Sequence, residues 1–240
     1  MLRLYHLLLG SILLVSIPVG AKFVLPQFSP PKEIKSSAVV KLPNSNEGNI
    51  WQKILGNTAA APTNWQVAAC EGNAPLLCVS SKGKRLGTVE INIYPLTNNE
   101  DFRKKLLAAG IPSGSQVDYQ SSQYQTQVLP VLKAWVADHY AAFAKDRQSQ
   151  YGKEITFSAY PPQPVPIGKL QGIRYGFAGL KEQGGVKEQH IGHVAFDGSK
   201  LYVITTAFDP GTQTGKFEQL ENLAIFQPYL YAIASDLRLP

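Results

Sequence analysis

The sequence is poor in the residue types that most often perform catalysis or hold metal ions. Its 240 residues include two cysteines, four histidines and one methionine, and only 17% of them are charged. It contains no Gly-x-Ser-x-Gly nucleophile motif, no His-Glu-x-x-His zinc motif and no glycine-rich phosphate-binding loop. We therefore expect no catalytic residues, no metal ligands and no cofactor, and hence a protein that is not an enzyme. A hydrolase is the weakest hypothesis, because no pair of nucleophile and base can be named.

Concentrated positive charge is also missing from most of the chain. The formal net charge is +6, but residues 1–62 hold six Lys and Arg against two Glu, whereas residues 63–240 hold 17 Lys and Arg against 15 Asp and Glu. A surface that binds nucleic-acid phosphates needs a concentrated basic face. The near balance of charge after residue 62 therefore argues against a nucleic-acid partner.

No apolar run in the leader reaches the roughly 20 residues that span a bilayer comfortably. The chain begins with a positive charge at Arg3, continues apolar over residues 7–19 and reaches the small residues Gly20 and Ala21. This layout is typical of a secretory signal peptide over residues 1–21. The alternative is an uncleaved N-terminal anchor, since residues 23–25 are apolar again. Either way the rest of the chain is exported, to a periplasm or a thylakoid lumen, and an uncleaved leader would tether it to the membrane.

Residues 22–62 are predicted to form a flexible linker. Their composition is rich in Pro, Ser, Asn and Ala and shows no sustained hydrophobic period. One short stretch, IWQKILG at residues 50–56, is compatible with a single helical turn or a docking element, but it is too short to be a stable helix alone. The folded domain is expected at residues 63–240.

The two cysteines, Cys70 and Cys78, flank a turn signal between two segments that favour strands. In an exported protein such a pair favours a disulfide across the hairpin. The alternative is a redox pair, but the Cys-x-x-Cys spacing and the helix N-terminus that lower a thiol pKa are absent from this segment. The sequence therefore predicts a structural disulfide.

Hydrophobic periodicity predicts an α+β fold, an antiparallel sheet flanked by helices. Alternating residues indicate half-buried strands, and apolar residues three or four apart indicate helices. The Asp197-Gly198 pair predicts a tight turn between the last two long strands, and Pro228 predicts a kink or a split in the last helix. The predicted strands are 65–70, 76–80, 85–96, 154–161, 172–180, 186–196 and 200–208, and the predicted helices are 98–110, 129–147, with Pro130 in its first turn, and 216–239.

The histidines are interpreted as structural. Because side chains alternate along a strand, His190 and His193 point to opposite faces of the sheet, and a chelating pair on one strand would need residues two apart. His139 is expected to pack beside the apolar stripe of its helix. The repeated Lys-Glu-Gln in GLKEQGGVKEQ, residues 179–189, is interpreted as a solvated hairpin loop.

The last third of the chain resembles the PsbP-like family of extrinsic photosystem II proteins. The resemblance covers residues 172–239, with weaker support from residues 65–111, and is carried by the strand with Tyr175 and Phe177, by DGSKLYVI at residues 197–204 and by the final helix. It implies an α/β/α sandwich and a non-catalytic accessory role, such as the assembly or stabilisation of a membrane complex like photosystem II. The helix at 129–147 departs from the family pattern, and no metal ligand can be carried over.

A proline-rich segment is the candidate partner-binding loop. Its prolines limit conformational freedom and favour an extended geometry, so that little entropy is lost on binding, and a tyrosine adds an aromatic anchor. The alternative is a stiff connector between two strands. A second functional hypothesis is a periplasmic small-ligand carrier or sensor whose cleft is lined by Tyr160 and Tyr175. The candidate loop residues are Tyr160, Pro161, Pro162, Pro164 and Pro166.

Overall fold

A mixed sheet of eight strands organises the part of the protein that the structure describes. The computed structural model describes residues 48–56, 59–112 and 121–239. The strands are β1 (Trp65–Ala69), β2 (Leu76–Ser81), β3 (Lys84–Pro95), β4 (Ile155–Ile167), β5 (Leu170–Lys181), β6 (Val186–Phe196), β7 (Lys200–Phe208) and β8 (Lys216–Phe217). The α-helices are α1 (Ile50–Ile54), α2 (Glu100–Ala108), α3 (Ser122–Tyr151) and α4 (Leu220–Ser235), and a 3-10 helix spans Leu96–Asn98.

The strand order is β1-β2-β3-β8-β7-β6-β5-β4, so β1 and β4 are the two edges. The short β8 pairs in parallel with β7, and all other pairings are antiparallel, including a direct pairing of β3 with β7. The turn at Asp197-Gly198 joins β6 to β7 as predicted. The Asp197 carboxylate accepts hydrogen bonds from the backbone N–H groups of Ser199 and Lys200, each at 2.7 Å.

Each face of the sheet carries its own hydrophobic core. Neighbouring residues of β6 alternate between the two, so that Val194 faces one core and Ala195 the other. Helices α1 and α4 cover the face that carries Ala195, which we call the α4 face. Helices α2 and α3 cover the face that carries Val194, which we call the α3 face. The predicted α+β class is confirmed, and the two helical layers are compatible with an α/β sandwich.

The predicted boundary between linker and domain at residue 63 is wrong. Trp51 of α1 is fully buried, and its indole Nε1–H donates to the carbonyl of Pro75 at 3.1 Å. The Asn49 side chain caps this short helix and also donates to the carbonyls of Cys70 and Leu76. Tertiary contacts thus stabilise a helix too short to persist alone, which confirms the alternative of a docking element.

The predicted leader and most of the predicted linker, residues 1–47, lie outside the described residues. Within the part that the structure describes, no helix is both long enough and apolar enough to cross a membrane.

Pro130 and Pro228 both lie inside continuous helices, so the predicted start of α3 at residue 129 is wrong and the predicted split at Pro228 does not occur. Helix α3 begins at Ser122 rather than residue 129, so Pro130 lies inside the helix. Helix α4 continues through Pro228 rather than splitting there, and it begins only after the predicted residue Phe217, which belongs to β8. A proline removes one helical hydrogen bond, but the residues beside each proline are buried in a core, and this burial holds the helix together. These buried neighbours are Val131 and Leu132 in α3, and Phe226 and Leu230 in α4.

The prediction of a proline-rich loop at Tyr160–Pro166 is also wrong, because this segment forms the second half of edge strand β4. A β-bulge lies between Tyr160 and Gln163, and pairing with β5 then resumes up to Ile167. Pro164 and Pro166 are two residues apart, so their nitrogens point to the same side, which is the free edge. Since proline has no N–H to donate, these residues prevent another strand from pairing there.

The predicted disulfide between Cys70 and Cys78 is present. It closes a small loop at the end of the hairpin formed by β1 and β2. We expect the Cys70→Ser, Cys78→Ser double variant to lose about 2–3 kcal/mol of unfolding free energy on the chain-entropy model. Urea unfolding of both proteins without reductant measures this loss. Thiol titration of the denatured, unreduced wild type should find no free thiol, and two free thiols would contradict the assignment.

Candidate functional site

Four ionisable side chains meet at one end of the α3 face, and we call them the charge cluster. They are Arg147 near the end of α3, Glu188 and His190 on β6, and Asp209 directly after β7. The side chains of Glu188 and Asp209 are completely buried. Two fully buried carboxylates are rare in proteins unless they are paired with cations or bind a metal ion.

The guanidinium of Arg147 bridges the two carboxylates. Its Nη2 donates to Oδ2 of Asp209 at 2.6 Å, and its Nε lies 3.2 Å from Oε2 of Glu188. The imidazole Nε2 of His190 lies 3.1 Å from the same Glu188 oxygen and 3.6 Å from Oδ2 of Asp209. One imidazole nitrogen and two carboxylate oxygens therefore point at one small volume, in which the guanidinium also lies.

The sheet register brings the acidic residues together. In the β6–β7 hairpin Gln189 pairs with Phe208 and His190 with Ala207, so Asp209 follows opposite Glu188. Like charges directly opposite each other on neighbouring strands are destabilising. Arg147 offsets this repulsion, because α3 crosses the same face of the sheet.

Aromatic rings fix the position of the imidazole of His190. The ring stacks on Phe177 of β5, with centroids 4.8 Å apart, and meets the edge of Phe143 of α3 at 4.6 Å. Phe143 also lies 4.8 Å beneath the guanidinium carbon of Arg147. These contacts immobilise both the imidazole and the guanidinium beside the carboxylates.

The cluster is incompletely satisfied. Among the described residues, the buried Oε1 of Glu188 has no hydrogen-bond partner. Both carboxylate oxygens of Asp209 have partners, since Oδ1 accepts a hydrogen bond from the backbone N–H of Gly211 at 2.7 Å and Oδ2 accepts one from Arg147. The two carboxylates and the one guanidinium carry a formal charge of −1. Such a cluster can hold a further cation.

The sequence patterns did not predict the charge cluster, because they did not indicate that Glu188 and Asp209 are buried. His190 and His193 do face opposite sides, as predicted: His190 contacts α3 and His193 contacts Tyr231 of α4. The interpretation of the second Lys-Glu-Gln repeat as solvated is wrong, since Glu188 is buried. A signal was present, because Glu188 and His190 are two residues apart, which is the chelating spacing on a strand.

The second candidate is a cleft on the α4 face of edge strand β4, which we call the edge cleft. Its volume is about 160 Å³. Tyr160 and Tyr175 both border the cleft. The ring of Tyr175, however, packs in the core of the α3 face against Trp135 and His139, so of the two predicted rings only that of Tyr160 faces the cleft. The lining residues are Tyr160, Pro161, Gln163, Arg174, Tyr175, Ile191, Gln227 and Tyr231.

Arg174 supplies a positive charge to the edge cleft, and Tyr160 supplies an exposed aromatic ring. The guanidinium carbon of Arg174 lies 4.1 Å from the ring centroid of Tyr231, and the guanidinium donates a hydrogen bond to Oε1 of Gln163. Tyr160 is 41% exposed. Its ring lies over Gly176 of β5, where a Cβ would stand 2.8 Å from Cδ2 of Tyr160. The same Cβ would stand 2.7 Å from the carbonyl oxygen of His190, so glycine is required opposite this tyrosine.

The four prolines of the predicted binding segment have different places. Pro161 lines the edge cleft, and Pro162 follows it in the bulge. Pro164 and Pro166 pair with Ile173 and Gln171 of β5 along the edge. Of the predicted binding residues, the structure therefore brings Tyr160 and Pro161 together at a concave surface.

No protein-family model matches the chain, and no curated protein matches it either. The geometry of the two candidate sites and the compartment that the disulfide indicates are therefore the evidence on function.

Proposed function

We propose that the protein is a non-catalytic extracytoplasmic accessory protein that docks, through the edge cleft, on an acidic segment of a membrane protein complex. The disulfide Cys70–Cys78 indicates an oxidising, extracytoplasmic compartment. The observation that carries the proposal is the presence of Tyr160, Arg174 and Tyr231 together at one edge of the sheet. Tyrosine and arginine are the residue types that most often dominate the binding energy of protein interfaces.

The charge of the edge cleft argues for an acidic partner segment. Arg174 is the single charged residue among those that line the cleft. A guanidinium binds a carboxylate through two parallel hydrogen bonds, and stacking on Tyr231 orients its plane. The carboxylate of an aspartate, of a glutamate or of the partner's C-terminus would replace Gln163 as the acceptor of the hydrogen bond from Arg174.

The manner of docking follows from the prolines of β4. Because Pro164 and Pro166 withhold hydrogen-bond donors from the free edge, the partner does not extend the sheet as an added strand. The contact is made instead by side chains of the α4 face beside that edge. The choice of a membrane complex such as photosystem II rests on the resemblance of residues 172–239 to PsbP-like proteins and stays a prediction.

The proposal is tested by affinity purification of the tagged full chain from membranes dissolved in a mild detergent. We expect the wild type to recover a reproducible set of subunits of one complex. Tyr160→Ala and Arg174→Gln should each reduce that recovery about tenfold or more, as the loss of a central interface residue does.

The matched control is Tyr94→Ala. Tyr94 is 38% exposed and lies on the opposite face of the sheet, so its replacement removes a similar exposed ring from a different surface. Recovery should be unchanged in this variant. If Tyr160→Ala and Arg174→Gln keep a native melting temperature and recover as much of the complex as Tyr94→Ala does, the edge cleft is not the docking surface.

A small-ligand carrier or sensor is the second candidate function. The observation in its favour is that the aromatic residues Tyr160 and Tyr231 line the same cleft. Against it, about 160 Å³ is below the 300–1,000 Å³ typical of pockets for drug-sized ligands. A thermal-shift screen with small carboxylates, lipids and pigments distinguishes the two functions, because a carrier should be stabilised by a compound in the absence of any protein partner.

A further inference from the structure

We propose that the charge cluster is a binding site for one divalent transition-metal ion. The ligands are Oε2 of Glu188, Nε2 of His190 and Oδ2 of Asp209, and Arg147 is the counter-ion that replaces the metal when it is absent. This site lies on the α3 face, whereas the edge cleft lies on the α4 face. The proposal is therefore independent of the proposed docking function.

The distances between the three ligand atoms fit a metal ion. One ligand atom from each residue lies within 4.8 Å of the other two. The nitrogen of His190 is 3.1 Å and 3.6 Å from the two carboxylate oxygens. In a tetrahedral site with metal–ligand bonds of about 2.0–2.1 Å, ligand atoms are separated by roughly 3.3–3.4 Å. Small side-chain rotations would bring the three atoms to this separation.

The ligands are held in place by contacts that do not use their metal-facing atoms. The imidazole of His190 is packed between Phe143 and Phe177. Asp209 is oriented through its other oxygen, Oδ1, by the N–H of Gly211. Hydrogen bonds and packing of this kind around a ligand raise its affinity for a metal ion.

The unpaired oxygen of Glu188 is evidence for a bound cation that does not depend on the distances between the ligand atoms. The side chain is completely buried, and Oε1 has no hydrogen-bond partner among the described residues. A buried carboxylate oxygen without a partner is costly. One or both oxygens of Glu188 would coordinate a metal ion at this position. Its positive charge would balance the carboxylates of Glu188 and Asp209.

Arg147 can leave the position that the metal would take. Its side chain is 11% exposed, and its Nη1 already contacts two surface residues of α3, Gln150 at 3.2 Å and Asp146 at 3.9 Å. A rotation towards these acceptors would release Glu188 and Asp209. Metal and guanidinium thus compete for the same carboxylates, and the metal has the larger charge.

The ligand set selects the class of metal. An imidazole nitrogen favours first-row transition metals such as zinc, and two carboxylates extend the choice to manganese. Magnesium and calcium prefer sites made only of oxygen ligands. Zinc is the suitable probe, because it has no redox chemistry that could modify the protein.

The test is calorimetric titration of Zn²⁺ alone into the full chain after treatment with a chelator. We expect one ion per chain and a rise in melting temperature. His190→Phe keeps the packing on Phe143 and Phe177 but removes the ligand nitrogen, and it should weaken binding by more than about tenfold. The matched control is His139→Phe, because His139 also lies on this face but outside the cluster, stacked on Trp135. It should bind Zn²⁺ like the wild type.

A second variant separates ligand loss from misfolding. Arg147→Gln removes the competing cation and leaves all three ligands, so Zn²⁺ should bind more tightly than to the wild type and should raise the melting temperature further. Absence of Zn²⁺ binding to wild type and to a natively folded Arg147→Gln would overturn the proposal, as would equal affinities for His190→Phe and His139→Phe. If Arg147→Gln does not fold without metal, the Zn²⁺ affinities of His190→Phe and His139→Phe decide whether the proposal holds.

Discussion

Replacing Arg147 with methionine is expected to lower the free energy of unfolding by about 3–5 kcal/mol, the usual loss when one partner of a buried ion pair is removed. Arg147 bridges Glu188 and Asp209, whose side chains are completely buried. Without the guanidinium, two carboxylates on neighbouring strands would face each other with no cation between them. Methionine retains much of the arginine's apolar stem, so the loss reports the charge rather than the packing.

The loss is measured by urea unfolding in the presence of a chelator, so that no metal ion replaces the arginine. Arg103→Met is the matched control, because Arg103 is exposed on α2 and should cost no more than about 0.5 kcal/mol. Adding Asp209→Asn to Arg147→Met should restore part of the stability, since one of the two opposed charges is removed. A loss below about 1 kcal/mol for Arg147→Met would show that the cluster is not held by its ion pairs.

The strands were predictable from sequence because their signals are local. The alternation of Val89, Ile91 and Ile93 predicted which side of β3 faces the core, and these residues do belong to the core of the α4 face. The Asp197-Gly198 turn fixed the hairpin of β6 and β7. The ends of the helices were less predictable, because Pro130 and Pro228 are local signals against a helix, whereas the burial that overrides them depends on the sheet beneath.

The charge cluster was only half predictable. Glu188 and His190 lie two residues apart on a strand, and the hairpin register implies that Asp209 follows opposite Glu188. These three residues were therefore within reach of the sequence. Arg147 was not, because its place depends on how α3, which precedes β4, crosses the sheet. Whether an acidic side chain is buried likewise depends on which helix covers it.

Acid is expected to destabilise the protein through His193. This residue is 1% exposed on the α4 face, and neither ring nitrogen has a hydrogen-bond partner among the described residues. Burial, with a smaller contribution from the charge of Arg174, lowers the pKa of His193 to about 3, from 6.5. The unfolded chain therefore binds a proton at pH values where the folded chain does not. Stability is complete above pH 6.5 and falls as the pH decreases towards 3, by about 1.4 kcal/mol per pH unit.

The variant that tests this effect is His193→Phe, which keeps an aromatic ring against Tyr231, 5.4 Å from His193 in the wild type. Urea unfolding is compared at pH 7 and pH 4.5. The loss of stability between the two pH values should be about 2–3 kcal/mol smaller in the variant than in the wild type. Because each protein is compared with itself, any packing change from the larger ring cancels. Tyr231→Phe, which alters the same contact without removing the imidazole, should keep the full acid loss. Equal acid losses in His193→Phe and the wild type would mean that His193 is protonated in the folded protein as readily as in the unfolded chain.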